Sequence, residues 1–585
     1  MRTLGLRLSL AWLASAAVLI AGLYPRFTAA HRALKLTDWF LFHQDLSVLW
    51  AIAGAALAGL GLALALPRRG DADMAPPALS RRAATVPIGL WAGLIALACG
   101  LLAWAGTTVV FDGYGLSLDE FMADFDAAIL AHGALMAPLR LPWRDFVFAL
   151  QPTFITLAPG DLAWSSQYLP VNAGLRAVGA LAGAQELVSP LLAAVSVISI
   201  FAIAWRLWPA RPDLAVIAAV LLATSSQFLL TASTAYAMTA HLAFNLVWLW
   251  LFLRGGRSGH LGAIAVGFLA TGLHQFVFHP LFVAPFVLEL LISRRWRLAG
   301  LYIAAYALIC AFWVAYWRLA FAGLGQSAAP AAMGAAATAD LTTKLAPLLA
   351  AFDWRGVRVM DVNLVRFVTW QSLLTTPLAA LGAVAAARAG GTVRALMLGF
   401  VLSAVALFVI LPHQGHGWGY RYWHGLLGSA ALLAAFAWGR LTEALAAWER
   451  RAASAVFALA AAVSLLVLTP LRAVQAHAFV HPYARAWAEI AASRAQAVII
   501  DPARAWYASD LVRNDPWLRR GPLVFDIRGL SDPQLAALCK RLSVQVIDAA
   551  DFHALGIKTA RPTADDVGEA PGPERLREDG CPAED

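Results

Sequence analysis

Four carboxylates fall within eight residues of the segment Ser117-Leu-Asp-Glu-Phe-Met-Ala-Asp-Phe-Asp126, which runs on to Gly133: Asp119, Glu120, Asp124 and Asp126. Apolar residues recur at Leu118, Phe121, Met122, Phe125 and Ile129. That spacing is the period of an amphipathic helix and predicts one lying along a membrane surface. On such a helix Asp119 and Asp126 share a face two turns apart, while Glu120 and Asp124 pair one turn apart on a neighbouring face. A carboxylate held this way can take the proton from an acceptor hydroxyl. Asp119 is the first candidate for that base and Glu120 the second. The same residues also have a purely structural reading. Ser117-x-x-Glu120 spells a capping box, and acids in a first helical turn complement the helix dipole.

A second constellation is Gly417-Trp-Gly-Tyr-Arg-Tyr422. The forked donors of Arg421 suit a phosphate, with Tyr420 and Tyr422 as neighbours in a binding loop. Together with Trp418 and Trp423 these tyrosines also read as an interfacial aromatic belt. His413, His416 and His424 flank the arginine, but spacings of three and eight residues in a non-helical loop give a divalent metal little support. The residues establish no cofactor, and a divalent metal has only this weak support. His241 and Asn245, one turn apart in an apolar segment, read as helix–helix hydrogen bonding. His274 and His279 flank a bend. Asp161 and Asp353 fall in loops, either as ordinary loop residues or as a second acid.

The elements that must position these residues are membrane helices. Of 585 residues, 61% are hydrophobic and only 14% charged, against about 25% charged in a soluble domain. The mean hydropathy is +0.68. Apolar blocks near 8–24, 46–66, 87–110, 187–208, 213–231, 236–253, 260–276, 278–293, 298–322, 366–387, 394–412, 424–447 and 453–470 approach the ~20 residues that cross a bilayer. The expected fold is a polytopic α-helical membrane protein with about 13 membrane segments, surface helices on the outer face and a small C-terminal α/β domain. The pair 260–293 reads as a bent hairpin. The first block is read as a retained span, with a cleaved signal peptide as the lesser alternative.

The net charge of +9 does not point to nucleic acid, because the arginines are spread among the connectors. With the N-terminus in the cytoplasm, Arg68, Arg69, Arg81, Arg82, Arg206, Arg211, Arg254, Arg257 and the later clusters all fall in short inside connectors. The long connector 111–186 holds only Arg140, Arg144 and Arg176. This bias puts that loop and the C-terminal domain outside a plasma (inner) membrane. Strand-like runs at 497–500, 523–525 and 544–547 alternate with helical stretches. The expected organisation is 1–86, two extra spans and a cytoplasmic loop; 87–470, the membrane core with the acidic loop 111–186; 471–557, the α/β domain; and 558–585, a disordered tail. Ala328–Ala337 reads as a mobile loop.

In order and topology the chain resembles the C-superfold membrane glycosyltransferases, in particular bacterial relatives of protein O-mannosyltransferases and aminoarabinose transferases. The resemblance rests on Asp119-Glu120 opening a helix that ends near Gly133, on the patch Trp164, Ser165, Tyr168 and Pro170, and on the Gly-x-Arg-Tyr stretch at Gly419–Tyr422, across most of residues 87–470. Phe121 and the histidines at 274 and 279 depart from the family pattern. The resemblance implies sugar transfer from a polyprenyl-phosphate donor to a lipid, glycan or protein acceptor at the outer face. Asp119 would activate the acceptor for attack on the face of the anomeric carbon opposite the leaving group. Arg421, Tyr420, Tyr422, His274, His279, Tyr168 and Trp164 would contact carrier or substrate. The alternative is a transporter or flippase for a lipid-linked glycan, which predicts charges lining the spans and repeated halves. The charges lie instead in the connectors. A membrane-anchored scaffold is a third reading, for which thirteen spans are excessive.

Overall fold

The computed structural model describes residues 1–28, 36–65, 87–323, 354–410 and 414–558. The arginines at 68–82, the run 328–337, Asp353, His413 and the tail beyond Lys558 lie outside the described residues.

The main helices are α1 (Arg2–Thr28), α2 (Leu46–Ala65), α3 (Ile88–Val109), α4 (Leu118–Ala131), α5 (Val171–Leu181), α6 (Val188–Leu207), α7 (Asp213–Ala223), α8 (Ser226–Ala232), α9 (Met238–Arg254), α10 (Gly256–Thr271), α11 (Phe278–Ile292), α12 (Trp296–Gly323), α13 (Trp354–Thr369), α14 (Thr375–Ala389), α15 (Gly391–Ile410), α16 (Leu427–Thr442), α17 (Ala447–Val463), α18 (Thr469–Ala492) and α19 (Asp532–Arg541). Their surface is that of a protein solvated by lipid. On α3, Leu90, Leu94, Leu97 and Leu101 are each about half exposed (53%, 47%, 59% and 53%). A water-facing fold does not present such a stripe.

A helix occupies each of the thirteen expected apolar blocks, but the count of spans is not thirteen by length. Eight helices among the described residues are long and apolar enough to cross a membrane, nine if α7 and α8, bent by 62°, form one span. The helices α9, α10, α11 and α14 have 17, 16, 15 and 15 residues. At 1.5 Å per residue they reach ~22–26 Å, short of the ~30 Å hydrocarbon core. The block expected at 366–387 is interrupted, ending one helix at Thr369 and starting another at Thr375.

Close backbone packing holds the bundle. A Cβ on Gly382 of α14 would lie 2.2 Å from the Leu433 carbonyl oxygen of α16, so only glycine lets these helices meet there. The N-terminal helix is tied in through Trp12, whose Nε1 donates to the Leu373 carbonyl at 2.7 Å, and through the Met1 ammonium on Glu449 at 2.8 Å.

At one end of the bundle sit two small sheets. Strands β1 (Ala137–Pro138), β2 (Ile155–Leu157) and β3 (Ala163–Ser166) pair antiparallel in the order β1-β3-β2 within the long loop. Strands β4 (Ala497–Ile500), β5 (Leu523–Asp526) and β6 (Val544–Ile547) form a parallel sheet in the order β5-β4-β6, placing the C-terminal α/β unit where its strands were expected. The two units share one core: Met122, Phe125 and Trp164 of the loop pack with Phe525, Ile527 and Leu535 of the C-terminal unit. Helix α18 continues unbroken from the bundle into that unit.

Candidate active site

Helix α4 begins as its sequence dictates. The Ser117 hydroxyl accepts from the Glu120 N–H, and the Glu120 carboxylate accepts from the Ser117 N–H, both at 3.3 Å. One orphan N–H of the first turn is met from far along the chain, where Asp510 Oδ2 accepts from Leu118 N at 3.1 Å. Beside it the Arg513 guanidinium donates to the Gly115 and Leu116 carbonyls at 2.5 and 2.9 Å and lies 4.0 Å over the Tyr114 ring. The C-terminal unit therefore clamps the start of the acid helix.

Asp119 is buried, and both its oxygens are engaged. The Tyr168 hydroxyl donates to Oδ1 and Arg421 Nη1 donates to Oδ2. Burial pushes the Asp119 carboxyl up, but the adjacent Arg421 cation and the Tyr168 hydrogen bond outweigh it and hold the group below the ordinary carboxylate range. It is ionised at neutral pH. Arg421 is itself buried, its guanidinium 5.2 Å from the ring centres of both Tyr236 and Tyr422. Its loop is set from several directions. Gly419, at φ +68°, has no room for a Cβ, which would lie 2.6 Å from Gln227 Oε1. Gln414 Oε1 accepts from the Arg421 N–H at 2.8 Å. Arg366 Nη2 donates to the Gly417 carbonyl at 2.8 Å. Arg366 and Arg472 in turn surround the buried Asp45, at 3.5 and 3.0 Å.

The other acids of α4 are engaged by neighbouring groups. Asp126 accepts from Ser165 Oγ and Ser166 N at 2.8 Å and from Ser166 Oγ at 2.5 Å, and burial still pushes its carboxyl up. Asp124 pairs with Arg176 at 2.5 Å. Glu120 accepts from Ala235 N at 3.3 Å as well as from Ser117. It borders a cleft of ≈ 260 Å³ that also reaches Asp124 and Arg176. Asp119, by contrast, lines a small cavity with Asp126, Tyr168, Tyr236 and His274.

The structure brings Asp119, Arg421, Tyr168, Tyr422 and His274 together. The His274 ring stacks on Tyr168 with centroids 4.0 Å apart, and its carbonyl accepts from Leu169 N at 3.0 Å. The other candidates lie elsewhere. Trp164 is buried, its Nε1 donating to the Pro516 carbonyl at 2.8 Å, and so pins the loop to the C-terminal unit. Tyr420 points its hydroxyl at Met360 Sδ, 3.6 Å away. His279 is held inside the bundle by Asn245 Oδ1 at 2.7 Å and the Tyr306 hydroxyl at 2.8 Å. His416 sits near the site with Nδ1 3.0 Å from the Tyr236 hydroxyl. No three-ligand metal cluster forms around His416 or His424 among the described residues. Buried polar atoms without a hydrogen-bond partner gather at the site: Arg421 Nε, His416 Nε2 and His274 Nδ1.

Tyr236, Asp510 and Arg513 were not legible as site neighbours. Burial pushes Glu120 and Asp510 each up to about 7, so both hold protons in the folded protein at pH values where an unfolded chain has lost them. The resulting stabilisation is full below the ordinary carboxylate pKa and is lost as pH rises through about 7. We expect the thermal midpoint of the detergent-solubilised chain to fall by several degrees between pH 5 and pH 8. Asp510→Asn keeps an acceptor for Leu118 N and should flatten that slope. An unchanged slope in the variant would remove Asp510 from the account.

No protein-family model matches the chain, and no curated protein matches it. Solved structures similar to it include two of one protein. One is ArnT from Cupriavidus metallidurans bound to undecaprenyl phosphate, at 15% identity over 74% of this chain and 85% of that one, with a TM-score of 0.43. The other is the same protein in the apo state, at 14% identity over 79% and 94%, with a TM-score of 0.42. At that distance the likeness assigns no residue a role, and the roles below rest on the geometry.

Proposed function

We propose that the protein transfers a sugar from a polyprenyl-phosphate-linked donor to an acceptor at the extracytoplasmic face of the plasma membrane. The observation that carries this reading is the buried Asp119–Arg421 pair, braced by Tyr168, at one end of a bundle of apolar helices. An ionised carboxylate beside a cation with a free N–H suits transfer from a lipid-borne phosphate: one group to take a proton, one to receive phosphate. A donor available outside the cytoplasm arrives on a membrane carrier, since no nucleotide-sugar pool exists there, and a site at the bundle end is within its reach. The proposed organisation keeps 87–470 as the core, 1–86 as additional spans and 471–557 as an outer unit, with membrane lipids as surroundings and the acceptor open among lipid, glycan and protein.

In this reading the donor phosphate competes with Asp119 for Arg421. As the guanidinium turns to the phosphate, the force holding the Asp119 carboxyl low weakens, and burial raises its basicity just as the donor is seated. The acceptor hydroxyl gives its proton to Asp119 while its oxygen bonds to the anomeric carbon. The bond from that carbon to the phosphate oxygen breaks, and the polyprenyl phosphate leaves with the electron pair, its charge met by Arg421. Tyr168 holds Asp119 in place, and Glu120, fixed by two backbone N–H groups, serves the helix start.

The test is mass spectrometry of polyprenyl-phosphate sugars and envelope glycans in a strain lacking the gene. One lipid-linked sugar should accumulate and one glycan should lose that sugar. An unchanged lipid-linked sugar pool together with unchanged glycans would sink the proposal.

A further inference from the structure

Away from this site, two histidines and an aspartate meet at the surface where α3 ends. His477 and His481 stand one turn apart on α18, ring centroids 5.1 Å apart, and face Asp112 in the turn after α3. His481 Nδ1 donates to Asp112 Oδ2 at 2.8 Å, and His477 Nδ1 lies 3.9 Å from Asp112 Oδ1. One ligand atom from each of the three can be taken so that all lie within 4.8 Å of one another. We propose that Asp112, His477 and His481 form a binding site for a divalent metal of the zinc class.

Three features beyond proximity support it. The donor set, two imidazoles and a carboxylate, is one that zinc takes with three protein ligands and a water in the fourth position. Histidines one helical turn apart present their rings on the same side, so a single ion can bridge them with little change of backbone. Asp112 adopts φ 54°, a left-handed conformation uncommon for a residue with a side chain, and this turn aims its carboxylate at α18. Two zinc bonds of ~2.0–2.1 Å at a tetrahedral angle set ligand atoms ~3.4 Å apart. Closing from the present spacing needs only side-chain rotation, for which there is space: the side chains are 42%, 49% and 29% exposed for His477, His481 and Asp112. The bonds to be given up are His477 Nδ1 to the Val110 carbonyl, at 3.2 Å, and the His481–Asp112 hydrogen bond, whose two groups the ion would hold instead.

The position gives the ion a structural task. Asp112 stands just before Gly115 and Leu116, the residues gripped by Arg513, and that stretch leads directly into α4. His477 and His481 stand on the helix that carries the C-terminal unit. A metal here would fasten the approach to the acid helix against that unit. The proposal does not depend on the transfer reading, and its test reads binding rather than catalysis.

The full chain in detergent, stripped with a chelator and then freed of it, is titrated with zinc chloride against a chromophoric zinc indicator. The expected result is uptake of a single equivalent. The double variant His477→Ala/His481→Ala should lose affinity by well over the ~10-fold that even an outer-shell partner is worth, and Asp112→Asn should weaken it separately. Zinc should raise the thermal midpoint of the unaltered protein and leave that of the double variant where it was. Equal zinc uptake by the unaltered protein and the double variant, or no uptake by the unaltered protein at micromolar free zinc, would overturn the assignment.

Discussion

Asp119→Asn is expected to lower sugar transfer in vesicles supplied with lipid-linked donor by about 10²–10⁴-fold, the range over which a positioned base contributes. The substitution keeps the shape of the side chain and an oxygen for the Tyr168 hydroxyl, and it removes only the charge that faces Arg421. Its consequences divide cleanly. The proton acceptor is gone, so kcat falls. Arg421 is freed from its carboxylate, so the donor phosphate meets less competition and the donor KM stays level or drops. A purely structural pair would behave otherwise. Breaking it strands a buried cation at a cost of ~3–5 kcal/mol under either reading, but with a purely structural pair kcat in the folded fraction would be unchanged. The measurement is therefore transfer per folded molecule, with thermal unfolding alongside. Full transfer by the asparagine variant would end the reading of Asp119 as the base.

Asp119 was legible because a helix start followed by acids at helical spacing places a carboxylate on a predictable face. What the spacing cannot convey is which consecutive acid is left for chemistry. Glu120 lies about 100° further round the helix, and there it meets the backbone of Ala235 and its own N-cap. Asp126 shares the face of Asp119 as expected, yet two serines of β3 consume it, and that small sheet has no strong pattern in the sequence. Arg421 stood out through the glycines and aromatics around it. Its neighbour Tyr420 did not separate from it on paper, although its carbonyl is fixed by Gln227 and its ring is turned into the bundle. His279 is the second residue of α11, where Asn245 and Tyr306 claim it, whereas His274 in the preceding turn reaches Tyr168. Contacts between distant segments were beyond reach: the Asp119–Arg421 pair spans 302 positions and the Asp510 cap 392. Eight or nine described helices have spanning length, against about thirteen expected segments, for a related reason. Hydropathy marks where a helix is apolar, but the breaks at Thr224–Ser225 and at Trp370–Leu374, which shorten spans, come from polar pairings such as Ser225 with Gln371.

The second large effect is expected at Arg421. Removing a charge-assisted hydrogen bond to a departing phosphate costs ~1.5–3 kcal/mol, so Arg421→Gln should lower kcat/KM by roughly 10- to 150-fold. Arg421→Lys keeps the charge but not the planar fork and should fall between the two. The pH profile separates this role from a merely structural one. In the unaltered protein the arginine holds the Asp119 carboxyl below its ordinary range against the pull of burial. The base is active when ionised, so the acidic limb of kcat/KM lies at low pH, where Asp119 takes up its proton. Without Arg421 the burial effect stands unopposed, the carboxyl rises above the ordinary range, and the acidic limb must move to higher pH. In the lysine variant, where a cation remains, the limb should move less. The same shift has a stability counterpart. The pair stabilises the folded chain above the ordinary carboxylate pKa and releases that stability as pH falls through the lowered value, so the glutamine variant should lose its stability deficit at acid pH. Profiles whose acidic limbs coincide in all three proteins would show that Arg421 does not set the basicity of Asp119, and a donor KM unchanged in the glutamine variant would remove it from the phosphate. If both move as expected, one guanidinium links the arrival of the donor to the readiness of the base: while it faces Asp119 the carboxylate is held ionised but weakly basic, and when phosphate draws it away the acceptor can be deprotonated.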